Sequence, residues 1–425
     1  MDIVVQRCAG LDIHKKLIMA CVLLWEDGRL TKHLREFGTT TRELLALSDW
    51  LAELGVTQLA MESTGVFWKP IFNILEDRFT MLLCNAQHIK RVPGRKTDVS
   101  DCEWIAQLLQ HGLLSPSFVP ERPVREFREL TRQRTSLVDD QARVANRIQK
   151  VLEDANIKLS SVATDTLGVS GRQMIRAMIE GEQNAEKLAN MAKRRLRKKL
   201  PELREALQGQ VREHHRFMLK LLLEHYEEHE RLIERLSAEI ERVLTEQTAG
   251  AREADGQPLP FAEAKKLLMT IPGIGEVNAE NILVETGTDM GRFPTEGHLA
   301  SWAGMCPGSH ESAGKRKRSK TRKGNRWLRR ALVQSAHSAG RTKQTYLSAQ
   351  YGRLSARKGR NRAGVAVGHT LLTIIYHVLK TRKPYEELGA DFLEQLNQTQ
   401  KTRYYTNRLK SLGFEVILQP LETAA

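Results

Sequence analysis

Four carboxylates stand where a chain must place them with some care. Asp12 closes a short apolar run in Gly10-Leu11-Asp12-Ile13, and Glu62 closes another in Ala60-Met61-Glu62-Ser63. Asp98 and Asp101 lie three residues apart at the start of a helical stretch, so they share one face. A carboxylate in an apolar strand is costly unless it is paired or bound to a metal. If the first and fourth strands are neighbours, all four acids converge at one edge of a sheet. Four hard oxygen donors around a wet notch suit Mg2+ or Mn2+ rather than Zn2+. Such ions can activate a nucleophile and stabilise a leaving oxygen in phosphoryl transfer. Turns and first helical turns also favour acids for plain structural reasons, and Asp101 alone reads equally well as a residue that solvates its helix.

A serine and a band of cations form the second group. Ser312 lies in Glu311-Ser312-Ala313-Gly314-Lys315, with Ser309 just upstream. Lys315, Arg316, Lys317, Arg318, Lys320, Arg322, Lys323 and Arg326 follow. A hydroxyl among small residues and cations can approach a phosphate, and Lys315 or Arg326 could offset transition-state charge. A lone loop serine is more often a turn or cap residue, so the residues alone do not make Ser312 a nucleophile. Upstream, Thr270-Ile271-Pro272-Gly273-Ile274-Gly275-Glu276-Val277 lies between two helical stretches. Gly273 and Gly275 permit a tight turn with amides exposed at the next helix, a phosphate-binding geometry and a helix-hairpin-helix signature. The plain alternative is a glycine-rich turn between packed helices. Arg128 and Arg132, on a long Arg-rich helix, are further candidates for contact with nucleic acid.

The elements that must position these groups can be read from periodicity. Short strand-forming runs at Ala9–Ile13 and Leu17–Leu24, the Asp27-Gly28 turn and Arg29–Phe37 predict a hairpin-linked start. A helix at Thr41–Leu54, a strand at Gln58–Met61, a helix at Phe67–Asp77, a strand at Thr80–Cys84 and a helix at Asp98–Gln110 follow. That order fits an α/β RNase H-like N-terminal domain over residues 1–122; an open doubly wound sheet has a similar order. Residues 123–260 read as a helical, coiled-coil linker and oligomerisation region. Within it Leu219, Leu222, Tyr226, His229, Ile233, Leu236, Ile240 and Val243 step by threes and fours as a heptad seam that only His229 breaks. That seam serves either an antiparallel pair within the chain or a coiled coil between subunits. Ala249–Pro260 is a linker. Residues 261–388 read as a mostly α C-terminal domain carrying the helix-hairpin-helix and the serine, and 389–425 as a tail in which Phe414–Leu418 could be a strand.

Composition narrows the partner. The 425 residues carry a formal net charge of +15 and a pI near 9.6, which fits an anionic polymer. The excess is local: residues 1–105 hold 13 basic and 14 acidic residues, whereas 311–330 hold 10 basic residues and one acid. Chemistry at one end and polymer grip at the other is the division of labour this implies. The five cysteines include no CxxC pair, which argues against a zinc ribbon or a disulfide framework and suits a reducing cytoplasm, close to the nucleoid. Leu17–Leu24 is too short to cross a bilayer, and no membrane partner is expected.

Together, Gly10-Leu11-Asp12-Ile13-His14-Lys15, Met61-Glu62-Ser63-Thr64-Gly65, Lys96-Thr97-Asp98-Val99-Ser100-Asp101, the Pro-Gly-Ile-Gly turn and Glu311-Ser312-Ala313-Gly314-Lys315 resemble the DEDD transposases of the insertion sequence 110 family. The resemblance implies a RuvC-like N-terminal domain whose four metal-binding acids map to Asp12, Glu62, Asp98 and Asp101, with Mg2+ or Mn2+ as cofactor. It implies an essential serine, which maps best to Ser312, with Ser309 the near alternative. It further implies donor and target DNA as substrates, an element-encoded bridge RNA, and a homo-oligomer, dimer or tetramer, whose active site combines the acids of one subunit with the serine of another. Strand exchange would pass through a phosphoserine. Three other readings stay open: a site-specific DNA invertase with the same motifs, a junction nuclease using only the acids, and a non-catalytic nucleic-acid-binding protein. The stretch from about Ile157 to Pro260 is longer than in compact members, and the resemblance says nothing of it.

Overall fold

The computed structural model describes residues 2–63, 65–89, 100–249, 259–307, 311–312, 315–316, 321, 324–396 and 398–418. Two compact units divide the chain, Met1–Arg125 and Glu126–Ala425.

The first unit is built on a five-stranded sheet. Its strands are β1 (Arg7–Ile13), β2 (Leu17–Glu26), β3 (Arg29–Gly38), β4 (Gln58–Glu62) and β5 (Thr80–Cys84), in the order β3-β2-β1-β4-β5. β1, β2 and β3 run antiparallel, while β4 and β5 run parallel to β1. The sheet is therefore mixed, and the first and fourth strands are neighbours. Asp27 and Gly28 both adopt positive φ (49° and 77°), the backbone that a two-residue hairpin turn needs. β3 is an edge strand, and Lys32, Arg35 and Glu36 keep that edge charged.

Helices cover both faces. α1 (Thr41–Glu53) and α2 (Trp68–Leu75) bury Leu44, Leu47, Leu51, Ile71 and Leu75 against Ala9, Leu11 and Ile13 of β1. Beyond a short turn of helix, α3 (Ala86–Ile89), α4 (Asp101–Gln110) covers the other face over Cys8, Cys21, Ala60 and Cys84. Gly10 lies beneath it, where an added methyl would run into the Cys102 carbonyl oxygen. The two-residue alternation of β1 thus sorts 9, 11 and 13 to one layer and 8, 10 and 12 to the other.

α5 (Arg122–Asp154) carries the chain onward. In the second unit α6 (Leu159–Val162), α7 (Val169–Ile179), α8 (Ala185–Asn190), a 3-10 helix at Arg194–Lys199 and α9 (Leu200–Ala206) gather around a core of their own, closed by Ile148 and Leu152 of α5 and by Leu219 and Leu222 of α10 (Glu213–Ala249). At the other end of the same two helices Phe127 meets Ile240 and Leu244. α5 and α10 are therefore antiparallel partners within one chain, and both ends of the heptad seam are used inside it.

α11 (Phe261–Met269), α12 (Glu276–Thr286), α13 (Glu296–Trp302), the two-stranded β6 (Glu311–Ser312) and β7 (Lys315–Arg316), α14 (Arg326–Ala339), α15 (Tyr346–Lys358) and α16 (Arg360–Thr381) continue the second unit around a further core. α16 is long and apolar enough for a membrane span, yet its Val367, Leu371, Leu372, Ile375 and Tyr376 belong to this core. α17 (Phe392–Leu396) and α18 (Gln398–Ser411) end the regular structure. Phe414–Leu418, where the sequence allows a strand, pairs with no strand among the described residues and is irregular: its Phe414, Ile417 and Leu418 are exposed, so there is no packing to draw the backbone into a ladder.

Candidate active site and nucleic-acid interface

β1 and β4 advance together in parallel, with Leu11 beside Met61. One residue further along each strand stand Asp12 and Glu62. Equal register in parallel strands puts them side by side on one face, at the strands' carboxyl ends. Alternation makes this the face covered by α4, whose first residue is Asp101. Asp12 acts on that helix electrostatically: burial pushes the Cys102 thiol up, and the Asp12 charge adds to the effect. The Asp12 side chain is 26% exposed, and its Oδ2 lies 3.2 Å from His14 Nε2. Glu103, also in the first turn of α4, is instead paired with Lys32 at 3.0 Å. Asp98 lies outside the described residues. Among those described, the oxygens of Asp12, Glu62 and Asp101 are not all drawn within 4.8 Å of one another. An all-oxygen donor set, partly open to water at strand ends, fits a hard divalent cation.

In the second unit Ser312 sits in a β-hairpin. Ser312 pairs with Lys315 and Glu311 with Arg316, and a further bridge joins Pro307 to Thr321. Ser312 is thus the last residue of β6, with Lys315 of β7 directly across. Gly324, at the exit of this arm, approaches so closely that an added methyl would lie 2.5 Å from the Ala303 carbonyl oxygen. Ser309, Lys317, Arg318, Lys320, Arg322 and Lys323 lie outside the described residues.

The arm ends at a buried anchor. Glu285 of α12 has a side chain only 1% exposed. Its carboxylate accepts two hydrogen bonds from Arg132, at 2.6 and 2.7 Å, and lies 3.2 Å from Arg128. Arg128 also donates to the backbone carbonyls of Val284 and Glu285. Asn325 donates to Glu285 at 2.6 Å while its side-chain oxygen caps α14 by accepting from the Trp327 and Leu328 amides. Arg132 and Arg326 lie over the Trp327 ring. Arg128 and Arg132, read from sequence as nucleic-acid contacts, are engaged in this way inside the domain. Other arginines of α5 are engaged too: Arg125 with Glu76 and Arg134 with Glu280.

The Pro-Gly-Ile-Gly turn joins α11 to α12 as expected, and its two glycines differ. Gly273 has φ 90°, and a methyl there would lie 2.5 Å from the Ser335 carbonyl oxygen, so close packing on α14 demands it. Gly275 precedes α12 with open space around it. Glu276 and Glu280 bind Lys265, at 2.7 and 2.9 Å. Burial alone would lower the Lys265 ammonium, yet these hydrogen bonds outweigh it and hold it above its ordinary value. The Glu241, Glu276 and Glu280 carboxylates cluster closely enough to hold a cation, and Lys265 already serves as that cation.

Two family models match the chain. One, described as "Transposase" of the DEDD IS110 type, covers residues 9–157; the other, described as "Transposase IS116/IS110/IS902 family", covers 265–352. Together they take in more than half of the sequence, in order, and include both the acid edge and the serine hairpin. This chain belongs to the IS110 family of transposases. Among curated proteins, this IS110-family chain is 32% identical over 124 residues to the "Pilin gene-inverting protein" of Moraxella bovis and to that of Moraxella lacunata. Each alignment spans 28% of this chain and 38% of the relative, so well under two thirds of either relative is matched.

Sequence reasoning missed Glu285 and Asn325. The signals were present: Asn325 immediately precedes a helical run, where asparagine caps well, and Glu285 ends the apolar Ile282-Leu283-Val284 facing an Arg-rich helix. A further pair of histidines also escaped notice. Asp154, His214 and His215 bring ligand atoms together. His215 Nδ1, however, accepts from the Arg212 amide at 3.2 Å, and Nε2 meets Asp154 at 2.8 Å. A metal on Nε2 would require a proton on Nδ1, opposite that amide, so this arrangement favours the hydrogen-bonded pair.

Proposed function

We propose that this IS110-family chain is a transposase that cuts and rejoins DNA through Ser312. The observation that supports it most is the side-by-side placement of Asp12 and Glu62 at the carboxyl ends of β1 and β4, facing α4. The first domain is then RuvC-like, and Asp12, Glu62, Asp98 and Asp101 would hold Mg2+ or Mn2+, which offsets charge on the phosphate.

In this reading the Ser312 hydroxyl attacks the scissile phosphorus and gives up its proton. The oxygen–phosphorus bond forms as the bond to the leaving sugar oxygen breaks, and that oxygen takes up a proton. A hydroxyl of the incoming strand then attacks the phosphoserine, restoring Ser312 and a phosphodiester. Bond energy is conserved, so no nucleotide cofactor is required. Lys315, Arg316 and Arg326, with the intervening Lys317, Arg318, Lys320, Arg322 and Lys323, grip the backbone of donor and target DNA. Gly273 and Gly275 shape the helix-hairpin-helix turn, where Gly275 leaves the approach open. A bridge RNA would choose the sites by base pairing, and acids and serine would come from different subunits of a dimer or tetramer.

Inversion of a DNA segment is the second reading, favoured by the similarity to the two pilin gene-inverting proteins; its strand chemistry is the same. The test is to incubate the protein with its RNA, donor and target DNA and Mg2+, and look for DNA attached to protein on a denaturing gel. An adduct lost in Ser312→Ala and Asp98→Ala but kept in Ser309→Ala supports the reading. Cleavage without adduct that survives Ser312→Ala replaces it with a metal-only junction nuclease.

A further inference from the structure

Residues 158–264 fall outside both family matches. Within them, the helical body between α5 and α10 displays a second basic surface. Six of the seven residues at 193–199 are Lys or Arg, and all six are exposed. Neighbouring cations of the same body are paired: Arg172 with Glu230, Arg176 with Glu227, Arg204 with Glu186 and Lys187 with Glu182. Among the described residues none of the six has an ion-pair partner.

The fold fixes this crowd of like charges in place. The Lys193 amide donates to Ser170 Oγ at 3.0 Å, and Lys199 Nζ donates to the Val162 carbonyl at 3.1 Å. Leu196 packs on the core beneath. Arg194 takes a left-handed φ of 53°, which residues with a side chain rarely adopt. The segment forms one wall of a cleft of about 440 Å3, lined by Lys193, Arg194, Arg195 and Lys199. The one acid in that lining, Asp165, has a carboxylate oxygen engaged by the Leu167 amide.

An anionic partner relieves the repulsion among cations held this way. We propose that this cleft binds the phosphodiester backbone of a polynucleotide, as a grip separate from the serine arm. The inference rests on the reading of this chain as a nucleic-acid enzyme, but not on its cleavage chemistry. Between residues 158 and 216 there is no Phe, Tyr or Trp on which a base could stack. The grip is therefore electrostatic and indifferent to sequence. Duplex DNA and RNA share this chemistry, and the experiment separates them.

The full chain is titrated with fluorescent duplex DNA and, separately, fluorescent single-stranded RNA, across a range of salt. Wild type is compared with a triple variant, Arg194→Glu, Arg195→Glu and Lys199→Glu, and with Arg204→Glu as a charge control away from the cleft. The triple variant should bind one or both probes roughly 10- to 100-fold more weakly near 0.1 M salt, with a salt slope reduced by about 3. The control should change neither. Loss confined to one probe identifies the polynucleotide. Equal affinity and slope for wild type and triple variant overturn the inference, and if wild type still forms the Ser312 adduct, the proposed function survives. Wild type that binds neither probe overturns both. Loss of binding to phosphatidylserine vesicles alone, with both probes unaffected, overturns it in favour of a membrane. A second measurement needs no variant: acetylation of Lys193, Lys198 and Lys199 should slow when nucleic acid is added, and unchanged reactivity overturns the inference.

Discussion

The amide of Asn325 donates to the buried carboxylate of Glu285 at 2.6 Å, so one side chain both starts α14 and fastens the end of the serine arm. Asn325→Ala removes a helix cap and leaves a lone pair of Glu285 unmet. Loss of about 1–3 kcal/mol of stability is expected. Asn325→Asp keeps the cap but sets a second negative charge against Glu285. It should therefore be the less stable of the two, the reverse of the usual ranking of caps. Urea unfolding of both variants decides; an Asp variant as stable as wild type would remove Glu285 from the account.

The two glycines of the hairpin should part company. Gly273→Ala meets the α14 backbone and a positive φ at once, and should destabilise by about 3 kcal/mol or more. Gly275→Ala meets open space at φ −92° and should change stability by less than about 0.5 kcal/mol. Any loss of DNA affinity in the folded Gly275 variant would then report close approach of a phosphate. Thermal melting beside DNA binding separates the two effects.

Asp12→Asn and Glu62→Gln should fold, since both positions are partly open to water. The expected loss is the rise in melting temperature that Mg2+ or Mn2+ gives to wild type, which follows from selective binding to the folded state. A metal-induced rise of the same size in both variants would place the cation elsewhere.

Burial pushes the thiols of Cys8 and Cys21 up to about 12 and that of Cys84 to about 11, from 9.0. The unfolded thiols release their protons first, so their contribution to stability is full below pH 9 and is lost as pH rises from there toward 12. The first unit should weaken on that alkaline limb. At neutral pH a thiol reagent should modify the half-buried Cys306 well before these three. Equal labelling rates in the folded chain would contradict the packing of α4.

Much of the first unit was legible because its signals are local. Short apolar runs mark β1 and β2, the Asp27-Gly28 turn marks the hairpin of β2 and β3, and Asp12 and Glu62 stand out as acids at the ends of apolar runs. What stayed hidden depends on distant residues. An arginine on a basic helix looks the same whether it meets phosphate or a buried glutamate, and only the fold brings Glu285 to Arg128 and Arg132. The heptad seam likewise fixes a helix with a sticky stripe but not its partner. Phe127 and Ile148 of α5, far away in sequence, show that the partner is in the same chain. At Phe414–Leu418 the apolar composition allows a strand, but among the described residues no neighbour pairs with it.

The antiparallel pairing of α5 and α10 gives the helical body at residues 158–211 a particular status. It is an excursion between two rods that already touch near their other end, through Phe127, Ile240 and Leu244. Its own core closes without residues of α11 to α16. A change in the length of this excursion would therefore act like a change in the head of a tool, leaving the handle of α5 and α10 untouched.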